Sequence, residues 1–375
     1  MASRLPAAPP VLAGFDYVRP LGTGGFADVY LFEQDMPRRA VAVKVLLQEI
    51  VAEGLLRMFN AEADVMARLS SHPSIVTIYQ AGISADGRPF IVMEYCPTSM
   101  TSRYRRERIP VAEVLQLGVK IGSALETAHR AGLLHRDIKP SNILVTAFGA
   151  PVLSDFGIAT SVTAHPDDEM LAMSVPWSAP EVVDERVAGS VPAEVWSLGA
   201  TVYSLLAGRS PFELPGSGQN SRDQLRSRIR RAAYPPIGRD DVPPRLEETL
   251  RRALSRDPGA RQASAAEFAY ELQLAQHELG LPHTPMELAT DAWVAPVDVA
   301  DDRARGPARS SVPYASARPE RAAERVRRSP GGTGFPDDEP RRPRWRARTV
   351  VLVVAGAVVV AAAVAVAIVV VAGGR

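Results

Sequence analysis

The sequence is poor in cysteine and carries almost no excess charge. Its only cysteine, Cys96, cannot form an intramolecular disulfide, which favours a reducing compartment for the folded part. The 43 Lys and Arg residues balance 42 Asp and Glu residues, so the net charge of +1 gives no global signature of nucleic-acid binding. The 6 histidines show no metal-ligand spacing, and residues 1–15 lack the apolar core of a signal peptide. We therefore expect a cytoplasmic folded domain with no nucleic-acid partner.

Changes in composition divide the chain into segments. The central part has ordinary globular composition, whereas the part that follows is rich in Pro, Arg, Ala and Asp without apolar periodicity, which predicts disorder. The predicted segments are an N-terminal tail (1–14), a folded domain (15–279), a disordered juxtamembrane linker (280–348), a transmembrane helix (349–372) and a short extracytoplasmic end (373–375).

The predicted membrane helix rests on an apolar run near the C-terminus. Residues 350–372 contain only Val, Ala, Leu, Ile and Gly, and as a helix they would span roughly 34 Å, enough for the hydrocarbon layer. The basic flank 341–348, RRPRWRAR, places the N-terminal side in the cytoplasm by the positive-inside rule. We expect a single-pass protein of the cell membrane, with the lipid bilayer as a partner and no extracellular sensor domain. A soluble Val/Ala-rich helix and a cleaved lipid-anchor signal are the alternatives.

A glycine-rich run, LGTGGFADVY at 21–30, precedes an alternating strand. Glycines allow backbone N–H groups to approach phosphates closely, although a hairpin turn would use the same residues. In the strand, Val41, Val43 and Val45 face one way. The other face carries Ala42 and Lys44, so a lysine lies beside a small residue.

An acidic residue interrupts the apolar stripe of the next predicted helix. Leu55, Phe59, Glu62, Met66 and Leu69 recur at helical spacing. A carboxylate in such a stripe requires a cation, and the lysine of the alternating strand can supply it. A partly exposed glutamate on a surface helix is the alternative.

Two motifs in the second half carry the chemistry. Residues 135–144 read HRDIKPSNIL, and residues 155–157 read DFG. Together with the glycine-rich loop, they resemble bacterial eukaryotic-like (Hanks-type) serine/threonine protein kinases over residues 15–279. The resemblance implies an ATP-dependent transfer of the γ-phosphoryl group to Ser and Thr hydroxyls of protein substrates, including the kinase itself.

The same resemblance implies an α+β, bilobal protein kinase-like fold. A small antiparallel β lobe with one helix would face a larger helical lobe, with ATP and Mg²⁺ (Mn²⁺ as an alternative) in the cleft between them. The resemblance also implies that Met66, Ile78, His135 and Phe156 stack as the spine of an active kinase.

Roles are implied for individual residues. Asp137 would orient the substrate hydroxyl and accept its proton, Lys139 would neutralise charge on the transferring phosphoryl group, and the Lys44–Glu62 pair would hold the phosphates of ATP. Asn142 and Asp155 would bind the metal. The residues implied to surround the nucleotide are Leu21, Gly22, Thr23, Gly24, Gly25, Phe26, Ala27, Asp28, Val29, Ala42, Lys44, Met93, Glu94, Cys96 and Leu144.

The segment 155–181 is implied to be the activation segment, whose closing Glu181 would pair with Arg261. Its stretch 164–169, AHPDDE, is acidic where related kinases often carry threonines that they autophosphorylate. We hypothesise that Asp168 or Glu169 supplies part of that negative charge. A solvated acidic loop is the alternative.

Two further residues depart from the family pattern. Ala27 stands where the third glycine of the loop is usual, and Glu194 stands where most kinases have an aspartate that accepts from the catalytic-loop backbone. Glutamate keeps the acceptor but adds a methylene group. A membrane-anchored pseudokinase scaffold is the alternative function, and a homodimer could serve autophosphorylation.

Overall fold

The computed structural model describes most of the predicted folded domain. The described ranges are 4–25, 27–47, 66–156, 175–216 and 218–288. Several predictions lie outside them, namely those for Phe26, Glu62, Asp168, Glu169 and the segment 349–372. Within the described ranges, no helix combines the length and the apolar character needed to cross a bilayer.

The first lobe is a five-stranded antiparallel sheet with the strand order β1-β2-β3-β5-β4. Its strands are β1 (Phe15–Thr23), β2 (Ala27–Gln34), β3 (Arg39–Leu46), β4 (Ile78–Ile83) and β5 (Pro89–Glu94). β1 and β2 meet at the glycine-rich turn, where the Gly24 N–H donates to the Ala27 carbonyl at 2.9 Å.

The predicted alternation of β3 is confirmed. Val41, Val43 and Val45 pack in a cluster on the outer face of the sheet, together with Tyr30 and Phe32 of β2. The residues between them belong to the opposite face, which is turned toward the second lobe, and Ala42 lies in the main core there. The alternation therefore places the Lys44 side chain on the cleft side.

The second lobe is mainly helical. It contains α1 (Met100–Tyr104), α2 (Val111–Arg130), α3 (Pro180–Val183), α4 (Val191–Ala207), α5 (Arg222–Arg231), α6 (Pro244–Ala253) and α7 (Ala265–Glu278). A small sheet of β6 (Thr98–Ser99), β7 (Ile143–Val145) and β8 (Pro151–Leu153) forms its cleft-side surface. The bilobal kinase-like arrangement predicted from the sequence is confirmed.

Helix α4 is the central helix of this lobe, and local sequence defines both its ends. The Ser190 side chain accepts from the Ala193 N–H at its start, and Gly208 ends it in the left-handed conformation at φ 72°. Gly199 lets α6 approach closely, since a Cβ there would lie 2.8 Å from the Ala253 Cβ. The buried α4 therefore provides a rigid support for the residues that it carries.

Segments before and after the predicted domain also pack against it. Leu12 is buried in the outer cluster of the sheet. Beyond α7, the Thr284 backbone and side chain bond with Gln273 and Gln276. Glu287 bonds to Ser123 of α2. The packed chain thus extends on both sides of the predicted range 15–279.

Candidate active site

The catalytic-loop motif lies between α2 and β7, and its polar groups converge on Asp137. The Asn142 amide donates to the Asp137 carboxylate at 2.9 Å and to the Asp137 carbonyl at 2.7 Å. The Lys139 ammonium lies 2.8 Å from the same carboxylate oxygen. A carboxylate held by these donors has a fixed orientation, which a proton acceptor for a substrate hydroxyl requires.

His135 connects the catalytic loop to the DFG motif. Its buried ring donates from Nε2 to the Ser154 carbonyl at 2.9 Å and accepts at Nδ1 from the Asp137 N–H at 3.2 Å. Burial lowers the pKa of His135, and these two contacts fit the neutral ring. The ring also contacts Phe156, with 4.6 Å between centroids. The structure thus brings together His135 and Phe156 of the predicted spine, and it packs Met66 and Ile78 in the same core.

Two residues of the site adopt the left-handed conformation, which is costly for side chains other than glycine. Arg136 has φ 65° and Asp155 has φ 57°. Such conformations cost on the order of 1 to 3 kcal/mol each and persist where the surroundings stabilise them. At Arg136, the stabilising contact is a hydrogen bond of 2.5 Å from its N–H to the Glu194 carboxylate.

The other carboxylate oxygen of Glu194 lies 2.6 Å from His129 Nε2, at the end of α2. The expectation that glutamate retains the acceptor role is therefore confirmed, and the longer side chain reaches two donors. His129 was not predicted as part of the site, because nothing in the α2 sequence indicates a contact with a residue 65 positions later.

An ion pair crosses the cleft from β3 to the residue before Phe156. Lys44 Nζ lies 2.8 Å from Asp155 Oδ1. The Lys44 ammonium lowers the pKa of the Asp155 carboxyl, which therefore stays ionised at neutral pH. A cation and an ionised carboxylate thus stand together where phosphates and a metal would meet. Glu62, the predicted partner of Lys44, lies outside the described residues.

The side-chain oxygens of Asn142 and Asp155 are suitable ligands for a hard divalent cation. The Ser154 N–H and hydroxyl both donate to the Asn142 carbonyl, at 2.9 and 3.2 Å, and so hold the two strand ends together. The side chains offer an amide oxygen and a carboxylate, as Mg²⁺ and Mn²⁺ prefer. Among the described residues, no cluster of three acidic, histidine or cysteine side chains could hold a metal ion.

Several apolar residues predicted to surround the nucleotide belong to the main core or pack against it. Ala42 and Met93 are buried in the main core. Three partly buried residues pack against that core, namely Leu21, Val29 and Leu144. These five side chains are apolar, as the lining of a base-binding pocket must be.

Glu94 and Cys96, at and just after the end of β5, were also predicted to surround the nucleotide. Cys96 also packs against the main core, and burial raises the pKa of its thiol to about 12, so it stays uncharged. The Glu94 N–H donates to the Thr77 carbonyl at 2.8 Å, which fixes the end of β5.

Asp28 lies elsewhere than its motif suggests. Its side chain, 1% exposed, is on the outer face of the sheet with Tyr30. The alternation that turns Val29 toward the cleft is the signal that could have found this. Ala27 is buried with Leu46 and Ile91.

The predicted partner of the activation-segment glutamate is confirmed. Arg261, with a fully buried side chain, forms two hydrogen bonds to Glu181, at 2.7 and 2.9 Å. It also donates to the Ser255 and Pro192 carbonyls at 2.9 Å. This pair anchors α3 against the start of α4.

Comparisons with known proteins agree with this geometry. The family described as "Protein kinase domain" matches residues 15–272. Mycobacterium tuberculosis serine/threonine-protein kinase PknK is 40% identical over 298 residues, which cover 79% of this chain and 26% of that protein. PknF of the same organism is 34% identical over 286 residues, which cover 72% of this chain and 57% of PknF. The chain thus matches about a quarter of the length of PknK.

The fold is also similar to that of a crystal structure of a kinase domain. The Mycobacterium tuberculosis PknI kinase domain has 30% sequence identity and a TM-score of 0.54, and the match covers 72% of this chain and 99% of that one. The fold is thus similar to that of a solved kinase domain.

Proposed function

Because the chain belongs to the protein kinase domain family, we propose that it transfers the γ-phosphoryl group of ATP to serine and threonine hydroxyls of proteins. The observation that carries the proposal is the Asp137 carboxylate, held by Asn142 and Lys139. Across the cleft, Lys44 and Asp155 are paired at 2.8 Å. These contacts orient the charged side chains of Asp137, Lys139, Lys44 and Asp155, which supports the proposal.

The reaction follows from these positions. Asp137 accepts the proton of the substrate hydroxyl as its oxygen attacks the γ-phosphorus, and the bond to the leaving ADP oxygen breaks. Lys139, beside Asp137, stabilises negative charge on the transferring group. Lys44 would bind the phosphates that remain with ADP. Asn142 and Asp155 would hold Mg²⁺ or Mn²⁺, which when bound neutralises charge on the phosphate oxygens.

The experiment that tests this function is phosphoryl transfer by the full chain. The purified protein is incubated with Mg²⁺ and γ-labelled ATP, with and without a generic Ser/Thr protein substrate, beside the Asp137→Asn variant. We expect labelled phosphoserine or phosphothreonine from the wild-type protein only. Equal labelling of both proteins would contradict the proposal. Nucleotide binding without any labelling would favour the pseudokinase scaffold.

We propose further that residues 349–372 anchor the kinase in the cell membrane with its catalytic domain in the cytoplasm. The support is the uninterrupted apolar run and its basic flank in the sequence. Fractionation of cells that express the full chain tests it, with alkaline carbonate washes to remove peripheral proteins. Recovery in the soluble fraction would contradict the anchor and leave the proposed activity unaffected.

A further inference from the structure

A buried carboxylate lies under the glycine-rich loop on the face away from the nucleotide. Asp28 is the second residue of β2, directly after the loop, and its side chain is 1% exposed. A buried ionised group is costly unless it is paired and hydrogen-bonded. In this chain its partners come from the N-terminal segment 4–12, which precedes the matched kinase domain.

The partners surround the Asp28 carboxylate. The Ala7 N–H donates to Oδ2 at 2.8 Å, and the Tyr30 hydroxyl lies 3.2 Å from the same oxygen. Burial raises the pKa of Tyr30 to about 12, so its hydroxyl keeps its proton. The Arg4 guanidinium forms an ion pair with Oδ1.

Further contacts hold the N-terminal segment on the sheet. The Tyr30 hydroxyl also bonds with the Ala7 carbonyl at 2.8 Å. The Arg88 guanidinium donates to the Ala8 carbonyl at 2.9 Å. Leu12 is buried in the outer cluster with Phe32. The segment is therefore attached to the sheet by polar contacts near one end and an apolar contact near the other.

Arg4 links this attachment to the loop itself. One nitrogen, Nη2, both pairs with Asp28 and donates to the Gly24 carbonyl at 3.3 Å. Gly24 also donates its N–H to the Ala27 carbonyl, which closes the loop. Arg4 of the N-terminal segment thus donates a hydrogen bond to the backbone of the glycine-rich loop, at Gly24. The residues beside Gly24 would cover the phosphates.

We propose that the N-terminal segment 4–12 is a clamp on the glycine-rich loop, and that Arg4 is a positioning residue for ATP binding. Arg4 acts through the Gly24 carbonyl and the buried Asp28. A loop held near its binding conformation loses less entropy when nucleotide binds, so the clamp raises nucleotide affinity. The proposal rests on the proposed function in that it concerns the same nucleotide site, but nucleotide affinity can be measured without phosphoryl transfer.

The test compares full-chain variants by their affinity for Mg·ADP, measured calorimetrically, and by the KM for ATP. Arg4 is 44% exposed, so Arg4→Ala should leave the fold intact. We expect Arg4→Ala to weaken Mg·ADP binding and raise the KM for ATP by about three- to ten-fold, as loss of one or two hydrogen bonds implies. The kcat should remain near that of the wild-type protein, whereas the melting temperature should fall, because the buried Asp28 carboxylate loses its counter-charge.

Two further variants separate the clamp from a general effect of charge. Arg4→Lys keeps the charge, but an ammonium lacks the fork geometry of the guanidinium, so we expect it to behave like Arg4→Ala. Arg38→Ala is the matched control, because Arg38 pairs with Glu33 at the opposite end of β2. That control should leave nucleotide affinity unchanged.

A double variant tests the route through Asp28. If Arg4 acts through the carboxylate, Asp28→Asn weakens nucleotide binding, and combining it with Arg4→Ala adds little. Unchanged nucleotide affinity in Arg4→Ala, full affinity in Arg4→Lys, or an equal loss in Arg38→Ala would each overturn the clamp. Absence of labelling by a wild-type protein that still binds Mg·ADP would contradict only the proposed function.

Discussion

Glu194 of α4 accepts a hydrogen bond from the backbone N–H of Arg136, one residue before Asp137. Arg136 has the left-handed conformation at φ 65°, which a side chain with a Cβ adopts only at a cost. The buried helix thus stabilises the unusual backbone conformation that presents Asp137. Glu194, which departs from the family pattern, thus stabilises the backbone conformation next to Asp137.

Replacing this glutamate should affect both stability and turnover. Glu194→Ala leaves two partly buried donors, the Arg136 N–H and His129 Nε2, without their acceptor. Each orphaned group costs about 1 to 3 kcal/mol of unfolding free energy. We expect a lower melting temperature and a lower kcat, with a nearly unchanged KM for ATP, from calorimetry and steady-state kinetics. A kcat equal to that of the wild-type protein would refute the positioning role.

The buried pair Glu181–Arg261 gives a second prediction. Glu181→Ala leaves the fully buried guanidinium without its counter-charge, and breaking a buried pair in this way costs about 3 to 5 kcal/mol. The matched control is Glu248→Ala, which removes a carboxylate from the exposed pair with Arg251. Chemical denaturation should show a large loss for Glu181→Ala and no measurable loss for the control. Similar losses in both variants would contradict the special role of burial.

Stability should fall as the pH drops below about 6.5, the usual pKa of histidine. Burial lowers the pKa of His72, whose Nδ1 accepts from the Ser74 N–H and whose Nε2 donates to the Glu287 carbonyl. Lys120 and the Glu287 carboxylate are the charged groups that face this ring. Between the usual pKa of histidine and the lowered pKa of His72, the unfolded chain binds a proton that the folded protein does not. The free energy of unfolding therefore decreases as the pH falls through this range, by up to about 1.4 kcal/mol per pH unit for one group.

Denaturation midpoints measured between pH 7.5 and 5.5 test this pH dependence. His72→Asn keeps an acceptor for Ser74 but does not titrate, so its stability should vary less with pH. His135, whose pKa burial also lowers, accounts for a remaining slope. A variant with the full wild-type slope would exclude His72 as a contributor.

Two helix glycines should respond differently to the same substitution. A Cβ at Gly199 would lie 2.8 Å from the Ala253 Cβ, which is attached to the α6 backbone. At Gly118 the nearest atom is closer, 2.4 Å away, but it is the Cδ1 of Leu272, which can rotate. Gly199→Ala should therefore cost about 1 to 3 kcal/mol from overpacking. Gly118→Ala should cost less, and the reverse order in thermal unfolding would contradict this reasoning.

The ionised Asp155 predicts a metal-dependent nucleotide affinity. Asp155→Asn removes the proposed charged metal ligand, so binding of ADP with Mg²⁺ should weaken by about ten- to a hundred-fold. With EDTA the same variant should bind ADP at least as well as the wild-type protein, because a negative charge near the phosphates is gone. Calorimetric titrations under both conditions separate these effects. Equal weakening with and without metal would argue against Asp155 as a ligand.

The structure brings together most of the described residues that the sequence predicted for the site, because motif residues close to each other along the chain also meet in space. Asp137, Lys139 and Asn142 are examples. The contact of Glu194 with His129 could not be predicted, since it depends on how α2 and α4 pack. The alternation of β2 would have placed Asp28 away from the cleft, but its position in the glycine-rich motif suggested a nucleotide contact.

The bounds of the fold were harder to predict than its centre. Residues 4–12 contain little regular secondary structure, and residues 281–288 form no helix or strand. Neither segment therefore shows a helical or strand-like periodicity in its sequence. Both segments are held by isolated side-chain contacts, such as those of Arg88 and Gln276. Contacts of this kind depend on partners distant in sequence, which composition and periodicity do not reveal.

The contacts of Glu287 also have a mechanical consequence. Its carbonyl accepts from His72, in the turn that follows the helical residues 66–69, and its backbone bonds with Ser123 of α2. A pulling force on the chain beyond residue 288 would load these hydrogen bonds before it reached α7. The force would therefore act first on the contacts of Glu287 with His72 and Ser123, at the junction between the two lobes.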